Sequence, residues 1–482
     1  MTTNLARTSK DMSARLGRNR RGQVLPLGLV FLVICCASLL FMFSAGKVVD
    51  EKLTVTNAAD AAAYSAGIAH ARALNYEAYV NRAIIANELA IAQAVSMVSW
   101  MRYFEAGVYN VATLDDLVVQ HLIVGGIPIA AVLSGTAYLN AWTGGAALQE
   151  IVEIIEYINS LGIINIHAGA ILALRASQLA TDLAFSSGVP QADLAREVAR
   201  RSDASLDVEL VPTSIVGLAG FTRTYGQFGG GPDERGRLAD TVMRSRDEFT
   251  AQRVFTHFGP NIPFVQRNVS LRKRGGTDLV NFDEWQAVDT LAVHRETWPC
   301  FRKGIPRWCA PEEISIAGAA RSETGLSGSR GGSGSYGYST RDNPRTTSNA
   351  LSANEDLRNL GAVLWTGLSD NQDVADLDAG RDQRVGISFF VSKPENTSRS
   401  AGRNPNVRPT GQLAVFDGAA PGDRIASLSR AEVFFQRPEA RPDGRRELAS
   451  LYSPYWQSRL VAPTTADRLY AATRQNGLAL GL

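Results

Sequence analysis

Twenty consecutive residues, Val24 to Phe43 (VLPLGLVFLVICCASLLFMF), contain no ionisable side chain other than Cys35 and Cys36. As a helix rising about 1.5 Å per residue, this run reaches roughly 30 Å, the thickness of a bilayer's hydrocarbon core. Pro26 falls in the first turn, where its missing N–H has no helical partner to lose. Ahead of the run stand Arg7, Lys10, Arg15, Arg18, Arg20 and Arg21 against Asp11, a net charge of +5. Behind it, Lys47 can snorkel towards headgroups. Arginine-rich flanks stay on the cytoplasmic side, so the expected layout is a cytoplasmic tail (1–23), a transmembrane helix (24–46) and an extracytoplasmic remainder. The rival is a cleaved secretory signal, for which the small residues Ser44, Ala45 and Gly46 supply the only cleavage-site feature.

A chain of 482 residues exceeds what one core usually organises. The whole carries only +2, which leaves −3 on everything after the tail. Such a body has no basic face with which to displace counterions from phosphates, so no nucleic-acid partner is expected.

After the membrane run, proline is absent until Pro128, and Asp50 to Met97 contains fifteen alanines, the best helix former. A helical extracytoplasmic region over 47–203 follows. Asn75 with Arg82, and Asn81 with Glu88, are seven residues apart and share a face. Two readings stay open for that face: a solvated stripe, or a polar network fixing register between packed helices or subunits. Asp60, Ala62, Ala66, Asn75, Asn81, Arg82 and Glu88 are the candidate helix-packing residues. Leu122 to Leu139 is again almost uncharged, but Gly125, Gly126, Pro128 and Gly135 weaken it as a helix. A buried or interfacial segment is expected there, with a second membrane crossing as the alternative. Ile151 to Phe185 resumes helical spacing.

Beyond Ala204 the texture becomes that of an α+β domain over 204–482. Strand-like runs occupy Val208 to Val216, Val385 to Ser392, Leu413 to Phe416 and Ala431 to Gln436, with a helix near Arg235 to Gln252. A low-complexity loop covers 325–350, and Pro394 to Pro409 reads as another exposed loop.

Chemical motifs are scarce. Gly332, Gly334 and Gly337 satisfy GxGxxG, but no apolar strand precedes them and no helix follows. The five histidines show no metal-ligand spacing, and Asp203, Ser205 and Asp207 read as a cap or turn. No enzyme activity, cofactor, metal or small-molecule substrate is expected. Cys300 and Cys309 enclose FRKGIPRW, whose Gly304 and Pro306 can turn the chain, and in an oxidising compartment they are expected to form a disulfide.

Arg21-Gly22-Gln23 before an apolar helix, then TNAADAAAYSAGIAHARALNYEAYVNRAIIANELAIAQAVS from Thr56 to Ser96, resembles the TadE/TadG-like proteins of bacterial tight-adherence (Flp) pilus systems. Ala431-Glu432-Val433-Phe434-Phe435, with Pro454-Tyr455-Trp456 and Arg459-Leu460, resembles the larger, TadG-like members. The resemblance covers roughly the first hundred residues and the last fifty. It implies a non-enzymatic component in the bacterial inner membrane, with its bulk periplasmic. The implied partners are pilus-assembly and secretion machinery and pilin-like subunits. Prepilins of this kind are cut after glycine and carry glutamate at the fifth mature position. Gly22 and Gln23 form the candidate processing site, yet counting from Gln23 that fifth position is Leu27, so permanent anchoring is expected. The second functional class is a membrane-tethered adhesion or ligand-binding protein.

Overall fold

The structure, a computed structural model, describes residues 24–110, 149–226, 232–258, 269–296, 298–302, 305–326, 342–361, 364–369, 373–374, 383–393, 424–445, 447 and 449–475. Outside the described residues lie the tail with Gly22 and Gln23, the 122–139 run, most of the 325–350 loop, and the expectations for 394–409 and 413–416.

One helix, α1, runs from Val24 to Tyr109 without a break. Its 86 residues make a rod about 130 Å long. Alanine content and the absence of proline after Pro26 allow that length. Along Val24–Phe43 the side chains stand exposed, Ala37 alone being half-covered; the segment is long and apolar enough to cross a membrane. From about Val55 onward, by contrast, α1 is the axis on which the remaining elements pack.

A second long helix, α2 (Gln149–Ser186), contains a π-helical stretch at Ile158–Ile164. It runs back along α1 in the opposite direction, because Glu156 meets Arg102, His167 meets Asn87 and Gln178 meets Asn81. Gly188, at φ +75°, turns the chain into α3 (Val189–Ser202), a conformation that glycine adopts without strain. Two short helical stretches, α4 (Pro212–Gly226) and α5 (Pro232–Arg244), follow a brief strand β1 (Asp207–Leu210). The strand expected over Val208 to Val216 is thus shorter than its apolar pattern suggested. Pro212 opens a helix instead, as proline favours at the first helical turn. The helix expected near Arg235 to Gln252 is α5 plus the single turn α6 (Glu248–Ala251), which Asp247 caps by accepting from Thr250 N at 3.2 Å.

Two sheets flank α1. The first contains β1, β9 (Arg384–Lys393), β10 (Ile425–Phe435) and β11 (Trp456–Val461), in the order β1-β9-β10-β11 and antiparallel throughout. The second contains β2 (Phe255–Phe258), β3 (Val269–Asn281), β4 (Glu284–Arg295), β7 (Glu312–Thr324) and β8 (Glu355–Asp356), of which only the β7–β8 pair is parallel. Between β4 and β7 a hairpin of β5 (Trp298–Arg302) and β6 (Ile305–Cys309) projects. Two further helices, α7 (Pro344–Ser352) and α8 (Thr465–Gln475), cover the sheets.

Each sheet closes its own core on a different stretch of α1. Val55 to Leu74 pack with α3 alanines and with Ile387, Phe389, Val433 and Trp456. Val80 to Val98 pack with α2, α5, Leu279, Trp285 and Trp365. The architecture is therefore a long N-terminal helix followed by helices and β-sheets. Residues on both sides of 203/204 build both cores, so the helical region and the α+β region share their interiors.

Candidate functional site

The residues singled out on α1 fall on its packed length, and most meet partners within the chain. Ala62 and Ala66 are fully buried under α3 and the first sheet. Their small side chains do permit close approach, but the surface approached is the protein's own. Closest of all is Gly67, where a Cβ would sit 2.9 Å from Ala431 Cβ and collide with Ser458 Oγ. Spacing gave no sign of Gly67, since a glycine inside an alanine-rich helix reads only as a weak position.

Asn75 Nδ2 donates to Trp456 O and its Oδ1 accepts from Trp456 N, both at 3.0 Å. Asn81 donates to Leu451 O at 2.9 Å and accepts from Gln178 Nε2 at 2.8 Å. Arg82 Nε donates to Tyr452 O at 2.6 Å while its side chain stays exposed. Glu88 accepts from the Trp365 indole at 3.0 Å and from Ser369 N at 3.3 Å. For Asn81 and Glu88, both fully buried, the solvated-stripe reading is corrected to that of a polar network joining α1 to α2 and to distant loops. Asp60 is half-buried.

Several ionisable groups on this axis are displaced from ordinary behaviour. Burial raises Glu88 to about 8, against the opposing pull of Trp365, Ser369 N and Trp285. Glu77 is also raised to about 8, by burial and then by Asp182, against the opposing pull of Gln178 and Arg175. On β7, Glu323 is raised to about 8 by burial and by Asp356. Burial lowers His70 to about 4, in keeping with its Nδ1 accepting from Gln191 Nε2 at 3.1 Å.

A buried ion cluster fastens α1 to the second sheet. Asp289 on β4 accepts from Ser99 Oγ of α1 at 2.8 Å and from Arg253 Nε and Nη2 at 2.9 Å, and Lys273 Nζ joins it. Burial alone would raise Asp289, but Arg253 and Lys273 outweigh it and hold the carboxyl below its usual range. Farther along, Glu156 of α2 bridges Arg102 of α1 and Arg321 of β7, at 2.6 and 2.9 Å. At the start of the packed length, Lys393 of β9 pairs with Glu51 and, at 2.9 Å, with Asp203. Asp203 also accepts from Ser205 N at 2.9 Å, so this acidic group is a turn.

The strands around Asp289 did not stand out in the sequence because Lys273, Asp278 and Asp289 point inwards. An alternation rule that places charges outwards misreads such strands. Cys300 and Cys309 lie on the paired strands β5 and β6, with Trp298 opposite Cys309 and Cys300 opposite Arg307. Cys35 and Cys36, exposed on the apolar run, are free. The Cys300 side chain is outside the described residues.

Cavities on the described surface are open depressions. One, of about 420 Å³, holds Arg384, Arg437, Arg441 and Arg459, whose charges are met by Glu432, Glu447 and Asp443. The chain matches no family model, no curated protein and no solved structure.

Proposed function

We propose that this chain is a membrane-anchored, non-enzymatic structural component of tight-adherence (Flp-type) pilus assembly. Val24–Phe43 holds it in the bacterial inner membrane, with the N-terminus cytoplasmic and the body periplasmic. Its partners in this reading are the pilus-assembly and secretion machinery and pilin-like subunits. The observation that carries the reading is the continuity of α1: the bare apolar segment and the axis of both cores are one helix. A body tied to its anchor in this way follows any displacement of that anchor, which suits a part that transmits position or force during assembly. The Lys393–Glu51–Asp203 cluster supports it by pinning α1 to β9 soon after the apolar run ends.

The two segments that carry the family resemblance also meet, Asn75 and Gly67 of α1 packing on Trp456 and Ala431. A Cys300–Cys309 disulfide belongs to the same reading, since the periplasm is oxidising and β5–β6 brings the two backbones onto one hairpin.

The test is to replace Val24–Phe43 by a cleavable secretory signal, so that the body is exported free. Soluble, folded body with loss of piliation is expected. Normal piliation by the freed body would overturn the reading.

A further inference from the structure

α2 carries an outward face unlike its neighbours. Between Ile154 and Ser187, twelve residues are exposed and none bears a charge. Ile154, Ile158, Ile166, Leu172, Leu179 and Leu183 are each 46–69% exposed. The next helix, α3, shows the ordinary pattern, its outer side bearing Asp193, Arg196, Glu197, Arg200 and Arg201. Contiguous apolar surface on this scale marks an interaction site.

We propose that this face pairs with the same face of a second copy of the chain, in parallel, about a two-fold axis along α1. The proposal rests on the anchoring argued above, and three observations select this occupant. First, the same bilayer is too far away. α2 lies beside residues 76–102 of α1, and Tyr76 is 33 residues beyond Phe43, about 50 Å along the helix.

Second, Leu172, Ala176, Leu179 and Leu183 recur at intervals of four, three and four. That is the seam spacing by which one helix packs knobs into the holes of another. Ala173 and Ala180 beside the seam leave room for close approach.

Third, copies held in one membrane by α1 all point the same way, and α2 is aligned with α1. Their faces therefore meet at equal height, residue against like residue, as a two-fold interface requires. The fully exposed residues of the two faces are uncharged, and Arg175, half-buried beside the seam, is engaged by Gln178 at 3.1 Å. Twelve residues are fewer than the about 20–30 per side of a typical stable interface. Confinement to one membrane supplies the effective concentration that compensates.

The test uses the full chain in its own membranes, with Cys35→Ala and Cys36→Ala, and single Leu172→Cys, Leu179→Cys or Glu197→Cys substitutions under mild oxidation. Covalent species of twice the chain mass are expected for positions 172 and 179 and not for 197 on α3. Adding Leu179→Asp to the Leu172→Cys chain should abolish the species while abundance holds. Carbonate extraction of the same membranes reads the anchor separately. A carbonate-resistant chain that stays monomeric overturns the pairing and leaves the anchor standing. Cross-linking only between Leu172→Cys and Leu183→Cys chains, which reports antiparallel packing, also overturns it, as does photolabelling of Leu179→Cys by lipid probes in place of a dimer. A chain released by carbonate overturns both, since equal height depends on the anchor.

Discussion

Asn75 and Trp456, 381 positions apart in sequence, exchange two hydrogen bonds of 3.0 Å, one in each direction, between the asparagine amide and the tryptophan backbone. The pair is the side-chain equivalent of a strand contact: α1 supplies to β11 the donor and acceptor that a further strand would have supplied. It joins the beginning of the body to its end.

Removing that exchange therefore costs more than one bond. Asn75→Ala leaves both Trp456 groups to find other partners, and Asn81→Leu strands Leu451 O and Gln178 Nε2 in the interior. Each unmet buried group costs about 1–3 kcal/mol, so both variants should unfold at lower denaturant concentration than the parent chain. Asn81→Leu should be the more damaging, because Asn81 is fully buried and Asn75 is not. Circular dichroism through a urea titration in mild detergent measures both.

Overpacking is the matching prediction for the small residues. Ala62→Leu and Gly67→Ala insert atoms where the first sheet and α3 already touch α1, at a typical cost of about 1–3 kcal/mol. The burial is internal, so abundance should fall in step with piliation. Lost piliation at unchanged abundance would instead mean that these positions face another subunit.

Buried carboxylates give stability a pH slope of definite sign. Glu77, Glu88 and Glu323 are raised to about 8, so between their ordinary carboxylate range and pH 8 the native state holds protons that the unfolded chain has released. Their contribution is fully present below the unfolded value and is lost as pH rises towards 8. His70, lowered to about 4, acts in the opposite sense, and only below the ordinary histidine value. Melting temperature should therefore decline from pH 6.5 to 8. Glu88→Gln, which keeps an acceptor for the Trp365 indole, should flatten that decline; an unchanged slope would remove Glu88 as a cause.

Mass spectrometry without reduction, on protein from intact cells, should find the peptides containing Cys300 and Cys309 linked. A ten-residue loop of this kind contributes about 2–3 kcal/mol on the loop-entropy treatment. Reduction should lower the melting temperature without dissolving either of the larger sheets, because β5 and β6 pair as a separate two-stranded sheet. Free thiols at both positions would contradict the pairing.

Helices were the legible part of this sequence. Alanine content and the absence of proline announced α1, and the helical spacing that resumes over Ile151 to Phe185 announced α2. The strands β9 and β10 were visible too, being apolar, β-branched and aromatic. What could not be read was β3, β4 and β7, where Lys273, Gly275 and Gly276 on the first, Asp289 on the second, and buried Arg321 and Glu323 on the third break the alternation that marks a strand. Asp289 can lie inside only because Arg253, Lys273 and Ser99 converge on it, and those positions are distant in sequence. The polar residues of α1 were found by their seven-residue spacing, but their partners were not, since Leu451, Tyr452 and Trp456 offer backbone atoms that no side-chain pattern reveals.

The most direct measurement is a topology assay on the intact chain. Because strands near the C-terminus complete a core begun at Val55, the reporter belongs at the end of the chain; truncation after Gln252 would remove β9, β10 and β11. A reporter enzyme that is active only outside the cytoplasm, fused at the C-terminus, should be active and should remain with carbonate-washed membranes. The same fusion made with a reporter that works only in the cytoplasm should be silent. An active cytoplasmic reporter, or an extracytoplasmic one that washes off the membrane, would contradict a single anchor at Val24–Phe43 with the body outside.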